Sequence, residues 1–319
     1  MFQYCKNITQ LFFIWPHFCI LLSMLNANET TITMLIRERL SQYAYLMRLE
    51  KPIGILLLLW PTLWALWLAS DGNPNPKILT IFITGVILMR SAGCVVNDFA
   101  DRHFDKYVER TRLRPLAAGK VSILEAFLLI LLLALCALYL VLQCNQLTIR
   151  LAFIGAGLTV IYPFLKRITH LPQIGLGLAF TWGVPMAFAA ENGVVSTSGW
   201  FLFFTGMLWP VIYDTMYAMV DKEDDVKIGV KSTAILFDAM DRMIICLLQS
   251  LFVILLIIVG LMFELNVIYY LCLIVVGILF VYQQYLIKDH NSKKCFNAFL
   301  NNNWVGLAIF AGIFLSLPE

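Results

Sequence analysis

The chain has 319 residues, of which 61% are hydrophobic and only 13% are charged. A soluble domain carries roughly 25% charged residues, so this composition excludes an ordinary water-soluble protein and indicates that lipid surrounds most of the chain. The net charge of +3 is small, and the basic residues are spread over several loops, which argues against a nucleic-acid partner.

Residues 1–33 are predicted to form an extension outside the main domain. Leu11 to Leu25 is an apolar stretch preceded by Lys6, as in a signal peptide or an additional membrane span, but a proline and a histidine interrupt it. Met34 opens a segment typical of an amphipathic helix at the membrane interface, and is a plausible alternative start. A dispensable extension is favoured over a tenth span, which leaves residues 34–319 as one transmembrane domain.

Nine apolar segments follow, and most have the length of about 17 to 21 residues that crosses a hydrocarbon core of roughly 30 Å. They lie near 53–70, 78–96, 123–142, 147–163, 173–190, 200–219, 242–262, 266–286 and 303–317. Ser122 and Glu125 have the spacing of a capping box, which predicts the start of a helix. The sequence therefore predicts an all-α integral membrane protein, a bundle of about nine transmembrane helices.

Lysine and arginine separate between alternate loops of this bundle. One set of loops carries nearly all of them, whereas the other holds only Lys77 and Arg150. By the positive-inside rule the basic set faces the cytoplasm. The two acidic clusters of the chain belong to these loops, so both are predicted at the cytoplasmic side.

The acidic clusters have helical spacing. In NDFADRHFD, four-residue steps predict one helix face for Asn97, Asp101 and Asp105, and in YDTMYAMVDKEDD steps of seven and four relate Asp214, Asp221 and Asp225. Carboxylates that face one another at the mouth of an apolar bundle repel unless cations join them. Oxygen ligands without His or Cys suit Mg²⁺ that bridges to phosphate, so a magnesium-held diphosphate is the predicted ligand. The alternative is a set of solvated loop charges balanced by neighbouring bases.

Basic side chains accompany the clusters. Several are candidates to neutralise a departing diphosphate: Arg102, Arg114, Lys166 and Arg167. Topology signalling and lipid-headgroup contact explain the same charges. Arg90 lies two helical turns deeper than Asn97, where a charge is costly without a partner, so it pairs with a carboxylate or shapes an acceptor pocket. Arg48, before the first span, is a second candidate for an acceptor carboxylate.

These motifs resemble a known family. NDFADRHFD matches the NDxxDxxxD signature of UbiA-type intramembrane prenyltransferases, and Asp221 with Asp225 matches their second DxxxD signature. The segments MRLEKPIGILLLLWPTLWALW, AGCVVNDFADR, RTRLRPLAAG, YPFLKR and YDTMYAMVDKEDDVKIGVKSTAILF are most similar to bacterial members that act on 4-hydroxybenzoate. The resemblance covers nearly everything from about Arg48 to the C-terminus.

The resemblance implies a helical bundle around a central cavity, open sideways to lipid, in the bacterial inner membrane. It implies a polyprenyl diphosphate donor, 4-hydroxybenzoate as acceptor, and Mg²⁺ held by Asn97, Asp101, Asp105, Asp221 and Asp225. The candidate catalytic residues are then Asp101, Arg102 and Asp214, the last to assist loss of the phenol proton. Tyr162, Trp182 and Tyr217 are near the depth at which aromatic faces stabilise a carbocation, although packing explains such residues more often.

Two other functions stay open. A haem- or menaquinone-type member of the same superfamily shares the acidic motifs and differs in its acceptor. A secondary transporter also carries intramembrane charges, but its substrate site lies near the bilayer midplane rather than at one mouth. Neither prenyl chain length nor oligomeric state follows from the sequence.

Overall fold

Helices are the only regular secondary structure in the part of the chain that the computed structural model describes, residues 31–102, 105–107 and 111–317. They are α1 (Thr31–Leu46), α2 (Ile53–Ala69), α3 (Pro76–Asp101), α4 (Ile123–Val141), α5 (Gln146–Ile168), α6 (Pro172–Thr181), α7 (Gly183–Asn192), α8 (Thr197–Ile228), α9 (Thr233–Phe237), α10 (Asp241–Met262), α11 (Val267–Ile287) and α12 (Ser292–Ser316). Two short 3₁₀ turns cover Asp105–Tyr107 and Asp238–Met240. The extension predicted for residues 1–33 lies almost wholly outside the described residues.

Seven helical segments are long and apolar enough to cross a membrane: α3, α4, α5, the pair α6 and α7, the segment Thr233–Met262, α11 and α12. Two helices are not among the seven. Helix α2 is apolar but is short for a span at 17 residues, and α8 has 32 residues but carries charged and polar side chains along its length. Each of the nine predicted segments falls on a helix, so the all-α membrane architecture is confirmed, whereas the number nine is not.

The predicted span 173–190 is divided in two. Trp182 stands between α6 and α7 outside both helices. Pro185 has no N–H to donate to the carbonyl of Thr181, so the helical ladder is broken at this point. Gly183 follows the break and packs against α2, where a side-chain carbon would lie 2.5 Å from Thr62 Oγ1. The interruption therefore lets the chain approach α2 closely.

Polar side chains define where the helices begin and end. The predicted capping box is present, because the Ser122 side chain accepts from Glu125 N and the Glu125 side chain accepts from Ser122 N. Asn75, Asn145, Ser196, Asn266 and Asn291 cap other helix starts in the same way. Gly229 ends α8 with φ 72°, a left-handed conformation that costs glycine little.

Three consecutive asparagines join α12 to its neighbours. Asn301 accepts a hydrogen bond from Gln283 of α11, Asn302 from the Trp209 indole of α8 and Asn303 from the Trp60 indole of α2, each at 3.0 Å. One turn of α12 is thus bonded to three different helices. Such bonds are valuable inside an apolar bundle, since an unpaired amide there is costly.

Helix α1 packs across the loop after the first acidic cluster. Its Leu46 is fully buried against Val95, Leu116 and other apolar residues. The Tyr43 hydroxyl donates to Glu125 Oε1 at 2.8 Å, and Arg39 Nη1 donates to the Lys120 carbonyl at 2.8 Å. These contacts hold the loop against the start of α4.

Candidate functional site

A cavity of about 1460 Å³ runs through the bundle, and every acidic residue singled out by spacing lines it. Its inner wall is apolar, with Leu57, Ile81 and Phe82 among the lining residues. Leu135 of α4 and Phe153 of α5 line it too, yet they are 54% and 63% exposed at the outer surface. The cavity therefore opens sideways between α4 and α5. An apolar chain fits inside while a charged group stays at the acidic end.

Asp98 is the most enclosed acid of the first cluster, with 2% of its surface exposed. Its Oδ1 accepts from Arg48 Nη2 at 2.6 Å and from Arg114 Nη1 at 3.1 Å. Arg114 also donates to Asp105 Oδ2 at 2.8 Å. Asp98 is absent from the predicted site residues because it lies off the face defined by four-residue steps. Contacts with two partly buried arginines make it the electrostatic centre of this cluster.

Asp101 lies on the last turn of α3 and meets the basic end of α5. Lys166 forms an ion pair with its Oδ2, and Arg167 Nη2 lies 3.5 Å from its Oδ1. Arg167 also donates to the carbonyl of Ala100. The structure thus brings both predicted basic residues of YPFLKR to the first acidic cluster, where they are placed to contact a polyanion.

Asp105 departs from the predicted helix face. Helix α3 ends at Asp101, and Asp105 lies on the separate 3₁₀ turn Asp105–Tyr107, so the prediction that one helix face carries Asn97, Asp101 and Asp105 is wrong for Asp105. The Arg114 ion pair and a hydrogen bond from the Thr111 hydroxyl to the Asp105 carbonyl hold it at the cavity instead. Burial raises the pKa of the Asp105 carboxyl, and Arg114 opposes that shift.

Arg102 is the predicted site residue that the structure places away from the cavity. Its Nη1 donates to the carbonyl of Phe99 at 2.7 Å, and its guanidinium stacks 4.7 Å from the centre of the Phe99 ring. It is not among the residues that line the cavity. The side chain is therefore bound to its own helix rather than to the acidic end.

The second acidic cluster lies on one continuous helix, as its spacing predicts. Asp214, Asp221 and Asp225 all belong to α8 and all line the cavity. Asp214 is the deepest of the three along the helix, and Gln173 of α6 lines the same cavity. The Oε1 of the same glutamine accepts from Thr233 N at 3.1 Å. Gln173, which was not selected from the sequence, thus joins the cavity wall to the segment that follows α8.

That segment connects the two clusters. Lys231 N donates to the Lys166 carbonyl at 2.9 Å, and its Nζ donates to the Ile168 carbonyl at 3.1 Å. The Thr233 and Thr215 hydroxyls lie 2.7 Å apart. The loop after the second cluster is therefore fixed to the helix that supplies Lys166 to the first.

Arg90 lies deeper in the cavity than the acidic clusters. Its guanidinium occupies the space that a side chain at Gly54 would fill, because a carbon there would lie 2.5 Å from Nε and 2.8 Å from Cζ. It contacts Cys94 Sγ and stands 5.8 Å from the Phe180 ring centre. Among the described residues its buried Nε has no hydrogen-bond partner. A cation with such weak partners suits an anionic group of a ligand.

Aromatic side chains form much of the wall beside Arg90. Tyr162, Trp182 and Tyr217 all line the cavity, as does Phe299, whose ring centre is 4.9 Å from that of Tyr217. Tyr213 also lines it and was not selected from the sequence. A tyrosine inside an apolar span gives no signal in the sequence that distinguishes a wall residue from a packing residue.

The donors at the acidic end fit a hard divalent cation. They are carboxylate and amide oxygens, the groups that Mg²⁺ prefers. Within the described residues no group of three or more His, Cys, Asp or Glu side chains is arranged to hold a metal ion. Magnesium in proteins commonly takes one or two carboxylates and completes its shell with substrate phosphate and water, so the donor set suits a cation that arrives with a phosphate.

Comparisons with known proteins agree with this arrangement. The model of the UbiA prenyltransferase family matches residues 58–310. A 4-hydroxybenzoate octaprenyltransferase of Coxiella burnetii (strain CbuK_Q154) is 55% identical over 281 residues, which cover 88% of this chain and 98% of that protein. A protein of the same name from Tolumonas auensis is 57% identical over 274 residues, covering 86% and 96% of the two chains.

Solved structures share the fold. The apo structure of a UbiA homolog from Aeropyrum pernix K1 superposes with a TM-score of 0.71 at 23% identity, covering 82% of this chain and 97% of that one. A UbiA homolog from Archaeoglobus fulgidus bound to GPP and Mg²⁺ gives a TM-score of 0.66 at 16% identity, covering 85% and 99%.

Proposed function

The chain belongs to the UbiA prenyltransferase family, and from this premise we propose that it transfers a polyprenyl group from polyprenyl diphosphate to 4-hydroxybenzoate. The product is 3-polyprenyl-4-hydroxybenzoate, an intermediate of ubiquinone synthesis. The observation that carries the proposal is the 55% identity to a 4-hydroxybenzoate octaprenyltransferase across 98% of its length. A cavity that is acidic and basic at one end and apolar inside supports it.

The donor diphosphate binds at the acidic end. Lys166 and Arg167 contact Asp101 there, and Arg114 contacts Asp98 and Asp105, so three bases surround the leaving group. Asn97, Asp101, Asp105, Asp221 and Asp225 would hold Mg²⁺. Magnesium, when bound, supplies positive charge that stabilises the departing diphosphate. Arg114 and Arg167 add charge without proton transfer, since arginine stays protonated at working pH.

The polyprenyl tail lies in the apolar part of the cavity and leaves it between α4 and α5. Leu135 and Phe153 line the cavity and are also exposed at the surface, which supports a continuous path to membrane lipid. The product, whose tail already lies along this path, leaves by the same route. A donor of this kind needs no passage through water.

The acceptor binds between α3 and α8. Arg90 approaches from α3 with few partners of its own and takes the carboxylate, whereas Asp214 on α8 accepts the phenol proton. Arg48 is already committed to Asp98 at 2.6 Å. We therefore assign Arg48 to holding the first acidic cluster rather than to the acceptor.

The reaction is an electrophilic alkylation of the aromatic ring. The allylic C–O bond breaks and diphosphate leaves with the electron pair, and the ring carbon beside the phenol oxygen forms the new C–C bond. That carbon then gives its proton to the departed diphosphate, which restores aromaticity, and Asp214 returns the phenol proton to the ring oxygen. The aromatic wall of Tyr162, Trp182 and Tyr217 stabilises the cationic carbon and keeps water away from it.

The same proposal places the protein in the bacterial inner membrane with its acidic end towards the cytoplasm. The excess of lysine and arginine in the loops at that end supports this orientation. Residues 34–319 constitute the prenyltransferase domain, and the family match at 58–310 lies within it.

A transfer assay tests the proposal. Membranes containing the chain or its Asp101→Ala variant receive radiolabelled 4-hydroxybenzoate, octaprenyl diphosphate and Mg²⁺, with and without EDTA, and the lipid extract is counted. We expect label in lipid only with metal and intact Asp101. If the prenyl group is transferred only to an acceptor of the menaquinone or haem class, the assignment of 4-hydroxybenzoate as acceptor is wrong. If vesicles take up substrate without modifying it, the chain is a carrier and not an enzyme.

A further inference from the structure

Tyr213 is a buried cavity residue whose hydroxyl has no hydrogen-bond partner among the described residues. Only 1% of its surface is exposed. Its ring is fixed edge-on against Trp209, with ring centres 5.3 Å apart, and against Phe299 at 5.9 Å. Packing therefore determines where the hydroxyl lies, since no hydrogen bond from the described residues fixes it.

An unpaired hydroxyl in such a place is unusual, because burying it without a partner costs free energy. Two buried threonine hydroxyls, of Thr181 and Thr205, also have no partner among the described residues, whereas other buried aromatic donors are paired. The equally buried Tyr269 hydroxyl donates to the Leu256 carbonyl at 2.9 Å, and the Trp64 indole donates to the Gly306 carbonyl at 3.1 Å. Tyr213 differs from these paired residues in that it lines the cavity, where a ligand is able to supply the acceptor atom.

Its neighbours indicate which atom that is. Asp214 is the next residue of α8 and lines the same cavity, while Arg90 reaches in from α3. A para-substituted benzoate has its two polar groups at opposite ends of the ring. With the carboxylate at Arg90, the phenol points to α8, where Asp214 offers an acceptor and Tyr213 a donor.

We propose that the Tyr213 hydroxyl donates a hydrogen bond to the phenol oxygen of the aromatic acceptor. The inference rests on the proposed function and adds a contact to it. As Asp214 accepts the phenol proton, negative charge develops on that oxygen, and a fixed donor in a dry site stabilises the charge. The same bond selects acceptors that carry an oxygen at this position.

Tyr213→Phe tests the contact because it removes the hydroxyl and preserves the ring. We expect KM for 4-hydroxybenzoate to rise about tenfold, as loss of one hydrogen bond to substrate implies, while KM for octaprenyl diphosphate stays within about twofold. The phenol of a ring-fluorinated 4-hydroxybenzoate, with both carbons beside the phenol oxygen left unsubstituted, loses its proton more readily. It therefore depends less on a hydrogen bond from Tyr213, and the ratio of wild-type to variant kcat/KM should be smaller for the fluorinated acceptor.

Tyr269→Phe is the matched control, since it makes the same change at a paired hydroxyl outside the cavity. We expect it to lower the Tm in detergent and to leave both KM values unchanged, whereas Tyr213→Phe breaks no internal bond and should not lower the Tm. A Tm loss in Tyr213→Phe, an unchanged acceptor KM, or an equal loss with both acceptors would overturn the inference. If the wild-type protein itself transfers no prenyl group to 4-hydroxybenzoate, the proposed function fails instead.

Discussion

Arg48 Nη2 lies 2.6 Å from Asp98 Oδ1, a contact between residues 50 positions apart in the chain. It joins the segment before α2 to the first acidic cluster. Arg48 adopts a left-handed conformation with φ 56°, which a non-glycine residue rarely takes. The ion pair and this uncommon backbone conformation occur at the same residue, which gives a first prediction.

Arg48→Met should destabilise the protein and weaken activity without a selective effect on the acceptor. Removing one partner of a buried pair costs ~3–5 kcal/mol, and we expect about 2 kcal/mol here because Arg114 still contacts Asp98 and Arg48 is 25% exposed. Thermal unfolding in detergent measures this, with Arg48→Lys as the control that keeps the charge. A large acceptor KM change at normal Tm would instead favour direct substrate contact by Arg48.

Gly54→Ala should raise KM for 4-hydroxybenzoate about tenfold, the factor that ~1.4 kcal/mol of lost binding implies. The added methyl group would meet the Arg90 guanidinium at 2.5 Å from Nε and displace it. Gly157→Ala is the control, since no atom lies within 4 Å of the carbon it adds. Steady-state kinetics with both substrates decide the matter, and equal effects of the two variants would contradict the role given to Arg90.

Lys166→Met should raise KM for the prenyl diphosphate by about one to two orders of magnitude, because a charged hydrogen bond contributes ~1.5–3 kcal/mol. The change removes a base from the diphosphate end and leaves Asp101 without its nearest cation. Lys227→Met removes an exposed lysine of α8 that pairs with Asp224 at 3.1 Å, and should change little. Unaltered donor KM in Lys166→Met would remove Lys166 from the donor site.

Metal removal should abolish transfer, and Asp225→Asn should raise the Mg²⁺ concentration needed for half-maximal activity at least tenfold, since it deletes one anionic ligand. Asp289→Asn is the matched control, because that carboxylate is exposed and pairs with Lys294 at 3.0 Å away from the cavity. Activity is titrated against Mg²⁺ after EDTA treatment. Identical titrations for both variants would show that Asp225 does not bind the metal.

A chain that begins at Met34 should retain most of the transferase activity, because the family match lies within residues 58–310. Removal through Leu46 should abolish it. That longer deletion takes away the Tyr43 hydrogen bond to Glu125 and the fully buried Leu46. Both truncated chains are expressed and their membranes are assayed for transferase activity. Loss of activity in the chain that begins at Met34 would assign residues 1–33 a functional role.

Local periodicity predicted the features that depend on local geometry. The positions of the helices, the capping box at Ser122 and the alignment of the second acidic cluster on α8 all follow from residue spacing. The importance of Asp98 did not follow from residue spacing, because its partners Arg48 and Arg114 are 50 and 16 positions away in the chain. Arg102 is the opposite case, a residue selected from the sequence that lies away from the cavity. Its position beside Asp101 gave no sign that its side chain stacks on Phe99.

The division between α6 and α7 was only partly predictable. Pro185 is visible in the sequence, but Pro61, Pro163 and Pro210 lie inside continuous helices, so proline alone does not decide where a helix breaks. That the Tyr213 hydroxyl has no partner among the described residues was not predictable at all, because it is a property of packing among distant residues.

The three asparagines of α12 have a consequence for biogenesis. Because their amides are costly in hydrocarbon until they are paired, α12 gains these three bonds only when α2, α8 and α11 are already in the bilayer. All three precede α12 in the chain, so each has left the ribosome before it. The order of synthesis therefore matches the order of assembly, because α12 is made last and its three bonds join it to helices that were made before it.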